Sequence, residues 1–440
     1  MASEAAPYAP IPRLAGIVSL SFGLTLVSAT LEPALLGHKV ITLFPDRATD
    51  AAAFGAITFG GLLVAVIAQP LIGAWSDRAH TPLGRRLPFI LAGALGLTIG
   101  LTLIASARSL AVLIVGLVIT QLGLNSTLAT WQPVIAEGVA TAQRGLAAGF
   151  KASLDLAAAV VGRLGAAELV SRVPDWGELA LYAAIAMPIF AILLTLAITI
   201  WAMGKGALSV AELQPARGNL REMFGVDLRR HPAFGWWCVN RVLFWAGMIG
   251  ASAFLLFAAR DVFGLSEPEA QRVIGRVSVV LGIALGIVVL PAGWLADRLG
   301  RRPMMIAAGC IAALGAGLAV ADFTLILPVA ILIGVGAGIY LSSSLALIND
   351  IVPQADAARY LGVANIATAT GSALARLGGG ATISSLSDTP TLGYQVLYAV
   401  VALFFLLSAF VIAAAPRETA AGQEATNIPS PGRASARVGD

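Results

Sequence analysis

Apolar residues run along this chain in blocks of about twenty, broken by short clusters of proline, glycine or charge rather than by the polar face of an amphipathic helix. Twelve blocks fall near residues 14–37, 53–74, 88–106, 110–133, 145–169, 179–202, 234–258, 269–293, 303–321, 325–349, 359–384 and 393–414. Each is long enough for a helix that satisfies its own backbone while crossing the hydrocarbon core. The pattern predicts an all-α membrane protein of twelve transmembrane helices. Composition agrees, since 58% of the 440 residues are hydrophobic and 12% charged, where a soluble domain carries about 25% charged residues. The net charge of +4 does not point to nucleic acid, because the basic residues are scattered between apolar blocks instead of gathered on one face.

Twelve spans put both termini on one side of the bilayer. Lys and Arg count about 17 on the terminus side against about 5 on the other, so both termini are expected in the cytoplasm of a multi-pass protein of the cell or inner membrane. The start, MASEAAPYAPIP, lacks the basic opening of a cleaved signal peptide, and the first span is expected to be retained. Cys238 and Cys310 fall inside predicted spans and suggest no disulfide framework.

A repeat divides the chain. GAWSDRAHTPLGRRLPFILAGA at 73–94 and AGWLADRLGRRPMMIAAGC at 292–310 share a small residue, Asp-Arg, Gly-Arg-Arg, a proline and a new apolar block, with Asp77 and Asp297 220 positions apart. A second echo links Arg144 and GRLG at 162–165 to Arg359 and ARLG at 375–378. The expected organisation is an N-terminal six-helix half at 1–202, a cytoplasmic linker at 203–233, a C-terminal six-helix half at 234–416 and a disordered cytoplasmic tail at 417–440.

The doubled Asp-Arg…Gly-Arg-Arg loop resembles the signature loop of the major facilitator superfamily. The longer form, QPLIGAWSDRAHTPLGRRLPFI, is similar in more detail to the plant-type sucrose transporters and the related glycoside–pentoside–hexuronide cation symporters. Pro133, Glu137 and Arg144 add a weaker match to the same sugar families, whereas the sodium-coupled members carry acidic residues in span 2 and this chain has none there. The resemblance implies two pseudo-symmetric six-helix halves and a loop whose charges bridge them on the cytoplasmic side. Carried over, it makes a cytoplasmic gate of Gly73, Asp77, Arg78, Arg85, Arg86, Glu137 and Arg144 in the first half, and of Asp297, Arg298, Arg301, Arg302, Asp350 and Arg359 in the second. The plainer reading, topology set by positive residues alone, explains the arginines but not an aspartate at the same place in both copies.

Charges within the spans supply the candidate chemistry, because an ionised group at mid-depth costs about 2.5 to 3.5 kcal/mol and normally faces a cavity or a partner. Glu32, next to Pro33, and Asp155 are the expected proton-coupling carboxylates. Arg163 and its repeat mate Arg376, with Asn365, are expected to offer forked donors to a solute. Gln121, Asn125 and Trp131 in span 4, Asn240, Arg241 and Trp245 in span 7, and Tyr340 in span 10 complete the expected solute site, on the ground that a sugar needs amides, hydroxyls and an aromatic face. The alternatives are a place at the outer water boundary beside His38 and Lys39 for Glu32, a cap on an outer-leaflet network for Arg163, and interhelical bracing for Arg376 and the span 4 groups.

No catalytic constellation, cofactor motif or metal spacing is present. The three histidines, His38, His80 and His231, lie in predicted loops, and no phosphate-cradling Gly-x-x-x-x-Gly-Lys-Ser/Thr sequence occurs. The expected function is a monomeric secondary transporter, not an enzyme, that moves a sugar or glycoside with a proton by alternating access. A drug or metabolite exporter of the same fold, and a non-transporting membrane assembly factor, are the alternatives.

Overall fold

The computed structural model describes residues 8–79, 81–207, 231–351 and 357–416, with positions 136, 137, 141, 204–207, 349, 357–359 and 361 described by backbone alone. Twelve long helices follow in chain order: α1 (Ile11–Leu43), α2 (Asp50–Arg78), α3 (Leu87–Ser106), α4 (Leu110–Gly138), α5 (Arg144–Val170), α6 (Glu178–Ala207), α7 (Pro232–Ala253, bent by 42° into Leu255–Asp261), α8 (Glu267–Leu299), α9 (Arg301–Ala321), α10 (Ile326–Ile351), α11 (Ala357–Ser385) and α12 (Pro390–Ala414). Ten are long and apolar enough to cross a membrane, and α7 is the eleventh if its bent pair is one span. The twelfth, α11, has the length but not the apolarity, because ATATGSALARLGGGATISS spends its middle on small and polar residues. That is the composition of a helix facing protein and cavity rather than lipid.

The helices of the two halves meet in matching pairs. In the first half α1 packs on α5 and α6, α2 on α4, and α3 on α4 and α6; in the second, α7 packs on α11 and α12, α8 on α10, and α9 on α10 and α12. Lipid offers no hydrophobic drive for such contacts, so close approach of small residues supplies them. At the α3–α4 crossing a Cβ on either Gly93 or Gly123 would stand 2.7 Å from a backbone oxygen of the other helix. Large apolar side chains instead cover the outside: Leu95, Phe190, Trp201 and Phe410 are all more than half exposed.

Between the halves, α2 packs on α11 and α8 on α5, one contact repeated with the halves exchanged. The cross-half hydrogen bonds and ion pairs of Glu32, Ala34, His38, Arg47, Ala48, Asp50 and Ser171 lie from mid-depth to the end carrying the α1–α2 and α7–α8 turns, the far end. Towards the opposite, knot end, which carries the Asp-Arg loops, α2 and α8 present Leu71, Trp75, Leu290 and Trp294 more than half exposed. The two halves are closed at the far end and splayed at the knot end.

Two local features depart from the sequence expectation. α1 is 33 residues long and runs on past residue 37, so His38 sits in a helix and is buried rather than in a loop. His231 directly precedes α7, while His80 falls outside the described residues. Helix α6 continues to Ala207, beyond the expected start of the linker; residues 208–230 and the tail from 417 lie outside the described residues.

Candidate transport site

The helix of α1 breaks where a candidate carboxylate sits. Pro33 has no N–H to give, and Glu32 adopts an extended backbone (φ −117°, ψ 135°) inside a widened turn at Leu31–Leu35. The break turns the Glu32 side chain across the interface between the halves, where its Oε2 lies 2.7 Å from Nη2 of Arg376 on α11. Arg376 is 12% and Glu32 26% exposed at the side chain, so this is a largely desolvated pair with a wet edge. Glu32 is also the carboxylate whose charge reaches Arg163 on α5. Of the two arginines related by the sequence repeat, Arg376 is thus bonded to this acid and Arg163 lies within range of its charge.

A cavity of about 220 Å³ lies beside this cluster, walled by α5, α7, α8 and α10 with Pro33 of α1 and Tyr398 of α12. Arg163 and Trp245 both line it, and the remainder of its wall is mostly aliphatic. Closer to the knot end, Asp155 is held within the first half: Lys151 Nζ lies 2.7 Å from its Oδ2 and Thr25 donates to its Oδ1 at 3.0 Å. The i,i+4 spacing of Lys151 and Asp155 is what brings them together. Across from them Arg241 donates to Thr368 at 2.7 Å, with its guanidinium 5.0 Å from the Trp237 ring and 5.9 Å from Trp245. Asn365 is exposed on the same stripe of α11 as Ser372 and Arg376, being seven and eleven residues before them.

Other expected solute contacts are braces. Asn240 is fully buried; it donates to the carbonyl and hydroxyl of Ser408 on α12 and accepts from the Tyr340 hydroxyl of α10 at 2.9 Å. Tyr340, also fully buried, stacks on Phe244 at 3.6 Å. Trp131 is wholly enclosed and donates to the Ile17 carbonyl, tying α4 to α1. Asn125 returns its amide to the Gln121 carbonyl one turn earlier, and the half-buried Gln121 amide lies beside Gly61 of α2. In this conformation the polar atoms of Trp131, Asn240 and Tyr340 are turned to protein partners, while the Asn125 amide oxygen keeps its accepting capacity.

Three ion pairs at the knot end each lie within one half. Asp77 Oδ1 lies 3.6 Å from Arg86, and Arg301 joins Asp350 while reaching Asp297 at 4.0 Å. Arg302 donates to the Ala415 carbonyl at 2.9 Å, and Arg298 lies over Trp294 at 3.9 Å. Arg78 and Arg144 are exposed and Arg85 is partly so. The side chains of Glu137 and Arg359 are outside the described residues. Gly73 makes no tight approach here, since a Cβ on it would meet only Ala129 at 3.8 Å.

Sequence reasoning missed the far-end latch. Arg260 of α7 donates through Nη2 to Asp50 of α2 at 2.5 Å and through Nε to Asp261 at 2.8 Å; Tyr394 of α12 donates to the other oxygen of Asp261. Asp50 is fully buried and Arg260 7% exposed. A second cross-half pair joins His38 of α1 to Glu267 of α8 at 2.6 Å. The available signal was opposite charge at the same end of the two halves, Asp50 against Arg260.

A family model described as MFS/sugar transport protein matches residues 47–413. The chain belongs to this family. Among curated members, proton-associated sugar transporter A of Homo sapiens is 34% identical over 96 residues, which is 22% of this chain and 12% of that protein. Sucrose transport protein SUT4 of Oryza sativa subsp. indica is 39% identical over 80 residues, 18% of this chain and 13% of that protein. The matched segment thus spans about an eighth of each of these relatives. Of solved structures, a bacterial homolog of the human lysosomal transporter Spinster, in an inward-facing and occupied conformation, superposes with a TM-score of 0.69 at 15% identity, over 93% of this chain and 97% of that one. The nucleoside transporter NupG superposes with a TM-score of 0.63 at 18% identity, over 93% of this chain and all of that one. These likenesses show the twelve-helix, two-half transporter fold of a multi-pass membrane protein.

Proposed function

We propose that this major facilitator protein moves a small polar solute, a sugar or glycoside, together with a proton, and that the conformation described here opens to the cytoplasm. The count of Lys and Arg by loop supports placing the knot end inside. The sugar reading leans on the family and on its curated members, and proton coupling on the first of them.

The carrying observation is the Glu32–Arg376 pair, a carboxylate of one half bonded to a guanidinium of the other at the level where the halves part. Rocking the halves breaks this bond. An ionised Glu32 left without Arg376 inside the membrane is costly, and a proton removes that cost, so protonation and rocking favour one another. Asp155 keeps both of its partners, Lys151 and Thr25, within one half, and rocking leaves it paired. Glu32 is therefore the proton carrier of this reading, and Asp155 serves as the partner of Lys151.

The test is Glu32→Gln in proteoliposomes. The variant should exchange labelled sugar across the membrane in counterflow, which needs no net proton movement, yet fail to accumulate it against a gradient when a pH difference is imposed. Accumulation at the unmodified level would refute the assignment of Glu32.

A further inference from the structure

We propose that the cavity beside Arg163 binds a small organic anion with an apolar body, its carboxylate seated on the Arg163 guanidinium. This goes beyond the sugar reading, and a carrier specific for neutral sugars would fail it while remaining a carrier.

Charge is the first ground. The central charged side chains are Lys151, Arg163, Arg241 and Arg376 against Glu32 and Asp155, so two cations stand in excess among the described residues. Arg376 and Lys151 have their acids, whereas Arg241 has only a hydroxyl and two aromatic faces. Arg163 makes no hydrogen bond and no close ion pair among the described residues; Glu32, its nearest source of negative charge, is already bonded to Arg376. A guanidinium cannot shed its proton, so the excess persists until an anion enters.

Hydrogen-bonding capacity is the second. Of the polar groups on the wall, Tyr398 spends its hydroxyl on the Ala251 carbonyl and Ser252 donates to Met248. The Trp245 indole N–H is buried without a partner. What remains open on the wall is the Arg163 guanidinium and the Ser278 hydroxyl, both able to donate, and a carboxylate is an acceptor with no proton to place.

Shape and lining are the third. Leu156, Val160, Met248, Ile249 and Leu281 form an aliphatic wall. A free hexose would turn several hydroxyls against it and leave them unpaired, which is unfavourable. An aromatic or branched aliphatic body meets the wall without that loss. A cavity of roughly 150 Å³ takes a benzene ring, so about 220 Å³ has room for a ring and a carboxylate. The same excess of positive charge turns apolar cations away, which disfavours an exporter of cationic drugs.

The test is calorimetric titration of the purified protein at neutral pH with phenylacetate, with its neutral isostere phenylacetamide and with methyl β-glucoside. Phenylacetate should bind at least about tenfold more tightly than the amide. Arg163→Gln should abolish that preference. Ser278→Asp, which sets a carboxylate on the cavity wall against Arg163, should abolish phenylacetate binding even if the glutamine variant proves too unstable to purify. The proposal is overturned if the amide binds as well as the acid, or if both variants bind phenylacetate like the unmodified protein. Binding of methyl β-glucoside alone overturns it and leaves the sugar reading in place. Binding of phenylacetate alone sustains it against that reading, and binding of neither overturns both.

Discussion

The crossing of α2 and α11 turns on two glycines that admit no side chain. A Cβ added at Gly55 would stand 2.3 Å from the backbone oxygen of Arg376, and one at Gly380 would stand 2.8 Å from that of Ala51. Neither obstacle is a rotamer that can swing aside, so in Gly55→Ala the helices must separate, and the far end cannot close as it does here. Overpacking of this kind costs about 1 to 3 kcal/mol, which shifts a two-state equilibrium by roughly 5- to 150-fold. Because the clash lies between the halves and not inside either, each half should fold unchanged and the cost should appear as a conformational bias. Spin labels at Leu179→Cys on α6 and Leu392→Cys on α12, both exposed and at the far end of opposite halves, read the separation directly. With Cys238 and Cys310 replaced by serine, Gly55→Ala should move the distance distribution to longer values at unchanged thermal stability. Gly73→Ala is the paired control: its Cβ meets nothing closer than 3.8 Å in this conformation, so it should leave the far-end distance alone or lengthen it no further. A Gly55→Ala distribution that overlays the unmodified one would refute the argument that these helices meet backbone to backbone.

Two further outcomes are expected. Arg260→Gln strands the buried Asp50, while Asp261 keeps Tyr394 and Arg47, and breaking a buried pair by removing one partner costs about 3 to 5 kcal/mol; the same label pair should report an open far end, and an unchanged distance would show that the latch does not hold the halves together. Asn240→Leu leaves the buried Tyr340 hydroxyl without its acceptor, at about 1 to 3 kcal/mol, so the melting temperature should fall while the KM for transported solute stays the same; a changed KM at constant melting temperature would return Asn240 to the solute site.

The lengths of the apolar blocks and the 220-residue repeat were enough to read the fold, because both are properties of one strand of sequence: backbone satisfaction in lipid sets the first, and duplication the second. The meeting of Arg163 and Arg376 near Glu32 was half legible. The repeat made the arginines a pair, but only the broken turn at Glu32–Pro33 aims the acid between them. The partners of Asn240 and Trp131 were not legible, because an amide or an indole in a span carries no mark of which neighbour it faces; Ser408 and Ile17, which they bond here, lie more than a hundred residues away. The far-end latch escaped for a related reason. Asp50 and Arg260 stand at the edges of their apolar blocks, where charge is ordinarily solvated, and only the approach of the halves buries them.

The distribution of ion pairs bears on how such a molecule can change state at all. From mid-depth to the far end several acids and bases are shared between halves, as in Glu32–Arg376, His38–Glu267 and Asp50–Arg260, whereas at the knot end Asp77–Arg86 and Arg301–Asp350 each lie within one half. Opening the far end breaks the shared pairs, and an opposite state that paid for this with nothing would lie many kcal/mol higher and stay empty. The knot-end charges supply the offset if they exchange partners, Asp77 and Asp297 turning from their own half to the arginines of the other as the knot end shuts. Their present pairs suit that exchange, being 3.6 and 4.0 Å long and at the wet rim, where an ion pair contributes only about 0 to 1 kcal/mol. Replacing Asp77 and Asp297 together by asparagine should then hold the far end closed, shortening the Leu179–Leu392 label distance distribution towards its closed limit. If the double variant instead populates the open far end as readily as the unmodified chain, the knot-end charges set topology only, and the offset must come from the solute and the proton on Glu32.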